Sequence, residues 1–468
     1  MHPPKLGITV MPEWFACEGI DAVLDRVAAV GATAIATSPY VLEPARDGEG
    51  GREPPIDAGA GRVRPLDRPL YGRHELWVRT APSFRHDFAR YAGLTYRPSP
   101  PTALTARDGD VLDRTIEAAT ARGVEVLLQV MAASPPGYRV QFSTLREEDE
   151  CLGPDRRPVS GRVDRNGSFA SPAVRDYTAT LVAELAQRYP GVAGFRLDWP
   201  EYPPYSFRSA LFDFNPAVTA LMARNGHDPG AVARDVRVWS DALAGEFRSA
   251  ASKGAGALRG VFASEGWQAL VDGRGPLEPV LDAKADAVRG LIASVREALD
   301  TVPGPRRRLE LQAFPPPFPR MSGFPIARLD GLADAVGIKL YTMHWPMIAR
   351  FWARDLLGNA PGPEVDAATA AFAEAFGFVD QPVDGAKLVY PEPEAPHPAG
   401  ANAQRDKLRS ASSLAGRVPT IAFAHTYGPL DDVLARYRIA ASAGLPVWLN
   451  RYGYLSDAKL AAIAVERR

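Results

Sequence analysis

Cysteine is almost absent from this chain of 468 residues, with Cys17 and Cys151 as its two examples. Two are too few for a disulfide framework, and neither lies in a CxxC or Cys/His spacing that holds zinc, which points to a reducing compartment. Runs of apolar residues long enough to span a bilayer are missing, so no membrane association is expected. Charge of either sign is not in excess: 54 Lys and Arg face 55 Asp and Glu, a formal net charge of −1. That balance excludes an overall field attracting nucleic acid or an anionic lipid surface. The start of the chain, Met1-His-Pro-Pro-Lys5, lacks a basic region followed by an apolar segment and passes at once into the strand-like Leu6–Met11. A soluble, cytoplasmic protein is therefore expected. Phosphate-cradling glycine patterns and the HExxH metal motif are missing too, so neither a metal nor an obligatory cofactor is expected.

What is present is a regular alternation. Short β-branched or aliphatic runs fall at Leu6–Met11, Thr33–Ser38, Glu125–Met131, Gly194–Asp198, Leu309–Phe314, Val336–Thr342, Thr420–His425 and Pro446–Asn450. Between them lie amphipathic stretches with apolar residues at three and four spacing, such as Ile20–Val30, Val111–Arg122, Pro172–Arg188, Leu281–Leu299, Ala367–Phe376 and Leu430–Ala443. Gly31, Gly123 and Gly444 end several of these, where a left-handed residue turns the chain back into a strand. Eight strands with intervening helices predict an α/β protein, a single (β/α)8 TIM barrel over residues 1–468; a doubly wound open sheet is the alternative. The segment after strand two, about 39–109, is rich in Gly, Pro, Arg and aromatics, and its length predicts a lid or subdomain over the barrel mouth.

In a barrel of this kind the chemistry gathers at the C-terminal ends of the strands. Strand four is the most informative. Arg196 and Asp198 share one face, two residues apart, while Phe195 and Leu197 take the other. Glycoside hydrolysis uses two carboxyl groups around an oxocarbenium-like transition state. Asp198, with Arg196 as its counter-ion, suits the nucleophile or base. Glu201, flanked by Trp199, Pro200 and Tyr202, is the nearest candidate for the acid, since apolar surroundings raise a carboxyl's pKa. The alternative for the same residues is a structural ion pair and a solvated loop glutamate.

The stretch Ser171-Pro-Ala-Val-Arg-Asp-Tyr177, a helix ending in Gln187-Arg-Tyr-Pro190, and Gly194-Phe-Arg-Leu-Asp-Trp-Pro-Glu-Tyr-Pro203 together resemble the strand-four region of the glycosyl hydrolase barrels grouped near the alpha-amylase-like enzymes. The resemblance covers about 35 residues and places Asp198 where the alpha-amylase nucleophile stands. The chain departs from that pattern at strand five, where Glu310 and Gln312 stand and no terminal Glu does. It departs again at strand seven, where His425 is all that remains of an Asn-His-Asp phrase. A conventional alpha-amylase is not expected.

Other strand ends supply aromatic faces and polar groups of the kind that stack on and hydrogen-bond sugars. These are Glu13 and Trp14 after strand one, Tyr40 after two, Gln129 in three, Gln312 in five, and Lys339, Tyr341, His344 and Trp345 around six. His425 and Tyr427 follow strand seven, and Asn450 and Arg451 follow eight. The expected partner is a small-molecule sugar or oligosaccharide. Two other readings stay open: a lyase or isomerase using Lys339, His344 or His425 for proton transfer, and a barrel that binds carbohydrate without turning it over.

Overall fold

The computed structural model describes residues 5–57, 61–139, 143–159, 161–163 and 166–468. Eleven strands are found among them: β1 (Leu6–Thr9), β2 (Ala34–Thr37), β3 (Tyr40–Pro44), β4 (Gly51–Glu53), β5 (Leu76–Pro82), β6 (Glu125–Met131), β7 (Gly194–Asp198), β8 (Arg308–Ala313), β9 (Ala335–Leu340), β10 (Thr420–His425) and β11 (Val447–Asn450). Eight of them close into a parallel barrel in the order β1-β11-β10-β9-β8-β7-β6-β2. All eight fall on the runs read from the sequence, and the open-sheet alternative is ruled out by the pairing of β1 with both β2 and β11.

Two glycines show how the barrel interior is filled. A Cβ on Gly7 of β1 would meet the Trp448 ring at 2.5 Å, and one on Gly337 of β9 would meet Phe423 at 2.3 Å. Both large rings point inward, and Ala34, Ala36, Leu127, Ala335 and Ile421 complete an apolar layer around them. Because residues two apart on a strand share a face, the next inward positions toward the C-terminal ends are polar: Gln129, Arg196, Glu310, Gln312 and Lys339. The filled base and the polar upper layers set the depth at which a ligand can enter.

The helix Pro172–Arg188 starts where the Ser171 hydroxyl accepts from Val174 N–H with Pro172 in the first turn, and it delivers the chain to β7. Gly31, Gly123 and Gly444 have φ values of 71°, 68° and 70°, the left-handed turns expected of them. The segment after β2 is itself folded: β3, β5 and β4 form an antiparallel sheet. Arg68 ties this insertion to the segments that follow the adjoining strands β1 and β11, donating to Leu455 O and pairing with Glu18 and Asp457. Among the described residues, no helix is long and apolar enough to cross a membrane.

Candidate active site

A cavity of about 1150 Å³ opens at the C-terminal ends of the strands. Met11, Ser38, Gln129, Asp198, Tyr341, His425 and Asn450 reach it from the ends of seven barrel strands or the residues just beyond them. The insertion adds Asp57, Arg64 and Trp77, and the loop after β7 adds Trp199 and Tyr205.

Asp198 is the carboxylate that a barrel strand itself delivers to this cavity. Its Oδ1 lies 3.0 Å from Lys339 Nζ and accepts from Trp199 N–H at 3.0 Å, while Oδ2 accepts from Gln129 Nε2 at 3.2 Å. The counter-ion expected from the sequence is thus corrected. Arg196 is wholly buried and donates to Glu310 Oε2 at 2.8 Å, with its guanidinium 3.7 Å from the Trp448 ring centroid. Sequence alternation puts Arg196 and Asp198 on one face, but the adjacent strand β8 and β9 beyond it supply each with a different partner. Trp199 turns at φ 57°, a region costly for a residue with a Cβ, and its ring packs at 5.7 Å from Tyr205 beside the carboxylate.

Glu201 is placed behind the cavity wall, with no exposed surface. Its Oε1 accepts from Phe314 N–H at 2.8 Å and its Oε2 from the Ser322 hydroxyl at 3.1 Å. Burial pushes its carboxyl up to about 7, against the pull of Lys339 at 3.9 Å. The raised pKa matches the sequence argument, but the side chain is walled off from the cavity, which separates Glu201 from the acid role read from sequence. Lys339 is also fully buried, bridging Asp198 and Glu201 with its ammonium 4.1 Å from the Trp199 ring centroid.

Of the remaining residues read as sugar-binding, Gln129, Tyr341, His344, His425, Asn450 and Arg451 line the cavity. Asn450 Nδ2 donates to the Tyr341 hydroxyl at 3.0 Å. His425 is squeezed between Arg64 Nη1 at 3.1 Å and Tyr427 N–H, and burial together with the Arg64 charge pushes its imidazole well below the usual range. The others do not reach the cavity. Trp14 and Trp345 sit in the first turns of helices that start at once after β1 and β9, which swings both rings into the core; Trp345 stacks on Phe378 at 4.9 Å. The Tyr427 hydroxyl donates to Pro391 O. Gln312 lies inside the barrel, its amide unpartnered among the described residues.

Glu13 and Tyr40 belong to a layer that fastens the insertion. Tyr40 donates to Glu13 Oε2 at 3.2 Å, and burial pushes the Glu13 carboxyl up to about 7. Beside them Glu53 takes Arg139 at 2.5 Å and Arg451 at 2.6 Å; against burial, these two hold its carboxyl below the ordinary value. Both arginines face the cavity.

The reading from sequence missed Asp57, Arg64, Arg139, Tyr205 and Asp355. The density of arginine and aromatics in the insertion was the one signal for the first two, and nothing local fixed their place. Against burial, the Arg64 guanidinium and His344 hold the Asp57 carboxyl well below the usual carboxylate range.

No protein-family model matches the chain, and no curated protein matches it in sequence. Among solved structures it is similar to a beta-galactosidase from the psychrophilic Marinomonas ef1, at 13% identity over 95% of this chain and 69% of that one, with a TM-score of 0.38. It is similar also to the catalytic domain of beta-amylase from Paenibacillus polymyxa, at 11% identity over 98% and 94% of the two chains, TM-score 0.47. A beta-galactosidase from Bacillus circulans sp. alkalophilus matches at 11% identity over 94% of this chain and 55% of that one, TM-score 0.41. Likenesses this distant assign no activity, so the chemistry rests on the residues of the site.

Proposed function

We propose that this protein is a glycoside hydrolase acting on a small-molecule glycoside or oligosaccharide, with Asp198 as the nucleophile or base. The observation that carries the reading is the placement of Asp198 at the C-terminal end of β7, facing the cavity and held at both oxygens by Lys339, Gln129 and Trp199 N–H. A glycosidic bond breaks through an oxocarbenium-like state, and a carboxylate fixed beside the anomeric carbon stabilises that charge without having to reorganise. The aromatic rings of Trp199, Tyr205 and Trp77 and the polar tips of Asn450, Arg139 and Arg451 border the same space. That mixture suits a pyranose, which is apolar on its faces and polar at its edge.

The lyase reading through Lys339 is less well supported. Its ammonium is spent on Asp198 and Glu201, and it lies outside the cavity lining.

The test is turnover of a panel of aryl α- and β-glycosides by wild type and Asp198→Asn, with circular dichroism to verify the variant's fold. Release of phenol by the wild type and a drop of about 10²–10⁴-fold in the variant are expected. Full activity in a folded Asp198→Asn rules out this role for Asp198, and a wild type that binds sugars without cleaving any member leaves a carbohydrate-binding barrel.

A further inference from the structure

One wall of the cavity carries a connected set of polar groups that the Asp198 chemistry does not use. The Tyr205 hydroxyl lies 2.7 Å from His344 Nδ1. The other ring nitrogen, Nε2, lies 2.9 and 3.2 Å from the two oxygens of Asp57. Arg64 Nη2 stands 3.4 Å from Asp57 Oδ1. All four side chains line the cavity, yet they come from the loop after β7, the turn after β9 and the insertion after β2. Only the closed barrel brings them into one row.

The direction of each hydrogen bond follows from what the partners can do. A carboxylate has no proton to give, so His344 Nε2–H donates to Asp57. In the neutral ring Nδ1 is then the acceptor, and the Tyr205 O–H donates to it. A hydroxyl, an imidazole and a carboxylate spaced in this way make a triad in which the carboxylate orients the ring and the ring exchanges a proton with the hydroxyl.

We propose that Tyr205, His344 and Asp57 form a proton relay opening onto the cavity, with Tyr205 as the residue that protonates the leaving oxygen. The identity of the leaving group rests on the hydrolase reading; the relay itself rests on the geometry. With His344 protonated, Nδ1–H donates to the phenol oxygen and the Tyr205 O–H donates to the glycosidic oxygen. As the bond from the anomeric carbon breaks, its electron pair stays on the leaving oxygen, which takes the Tyr205 proton. The Nδ1 proton moves to Tyr205, and His344 becomes neutral. The carbon gains its new bond from Asp198 or from water. Where Asp198 forms the bond, the water that displaces it gives its proton through Tyr205 to Nδ1; where water attacks directly, Asp198 takes that proton and exchange with solvent returns it to His344, restoring the starting state. Asp57 remains ionised throughout, and Glu201, behind the wall, is not required.

The experiment has two parts. The first compares wild type and Tyr205→Phe on aryl glycosides of whichever sugar the wild type cleaves, with leaving phenols from dinitrophenol to methoxyphenol. The relay predicts a loss of about 10²–10⁴-fold on the poorest leaving group that shrinks steadily as the phenol becomes more acidic. A uniform loss, or none, overturns Tyr205 as proton donor while leaving Asp198 in place. The second part needs no turnover: ¹⁵N-histidine NMR of the whole protein, with His344→Gln identifying the ring's signals. The neutral ring of His344, the form left after proton transfer, is expected to carry its proton on Nε2, with its Nδ1 resonance moving in Tyr205→Phe. An Nδ1–H tautomer, or no response to the tyrosine change, overturns the relay. Expected NMR behaviour without cleavage of any glycoside overturns the hydrolase reading alone and keeps the relay as the proton-transfer device of another reaction.

Discussion

Strand β7 contributes to two buried ion pairs at successive inward positions. In the lower one, Arg196 meets Glu310 at 2.8 Å with side chains 0% and 8% exposed, and its guanidinium is covered by Trp448 and Phe423. In the upper one, Lys339 meets Asp198 at 3.0 Å with side chains 0% and 14% exposed. The chemistry of the partners is nearly the same, and depth makes the difference. The lower pair sits directly on the apolar layer of the barrel and is enclosed by rings. The upper pair has its cation enclosed and its anion turned to the cavity. A buried pair whose charges are both enclosed costs desolvation and returns order; one whose anion meets the cavity is available to a ligand.

Breaking the lower pair gives the largest effect on stability. Arg196→Met leaves Glu310 unpaired in the barrel and lowers the unfolding free energy by about 3–5 kcal/mol, read from urea denaturation. Replacing both members with apolar residues, Arg196→Met with Glu310→Met, recovers most of that loss. A single variant as stable as wild type contradicts the enclosure described for this pair.

The upper pair reverses the balance. Lys339→Met lowers stability by less, about 1–3 kcal/mol, because Asp198 keeps Gln129, Trp199 N–H and access to cavity water. Turnover of the aryl glycosides falls on the order of 10²-fold, since the carboxylate loses the charge that orients it. Equal stability losses in Arg196→Met and Lys339→Met, with turnover unchanged in the second, erase the distinction between the two layers.

The smallest effect comes from Glu201. Burial pushes its carboxyl up to about 7 from an ordinary 4.5, so the folded protein binds this proton more tightly than the unfolded chain. Its contribution to stability is therefore fully present below the unfolded value and is lost as pH rises through the folded one, by at most about 3 kcal/mol. Thermal unfolding followed between about pH 5 and 8 is expected to decline less in Glu201→Gln than in wild type. The variant is not expected to be flat, because Glu13 is pushed up to about 7 in the same sense. An identical decline in both proteins places the titration elsewhere.

How far the site could be read from sequence depended on how local each property is. Asp198 was legible because two-residue alternation and a Trp-Pro stop mark both the face and the end of β7. Its partner was not, because Lys339 lies 141 residues away, and alternation says nothing of which strand closes against which. Trp14, Trp345 and Trp199 all follow strands within a few residues and looked alike. Two of them begin helices and turn into the core, and the third takes a left-handed turn into the cavity. Asp57 sits in an irregular stretch of the insertion, where no period constrains direction. Its meeting with His344 spans 287 positions.

The order of eight strands, their alternation with helices and the strand end on which Asp198 stands were determined by the sequence itself. Those properties follow from the chain's local period: two in a strand, 3.6 in a helix. The tertiary structure decided which cation faces which carboxylate, which aromatic lines the cavity, and that Tyr205, His344 and Asp57 stand in a row. Barrel closure sets these by bringing distant segments to fixed heights on one axis, and the height at which a charge emerges from the filled interior determines whether it is sealed in or meets a ligand.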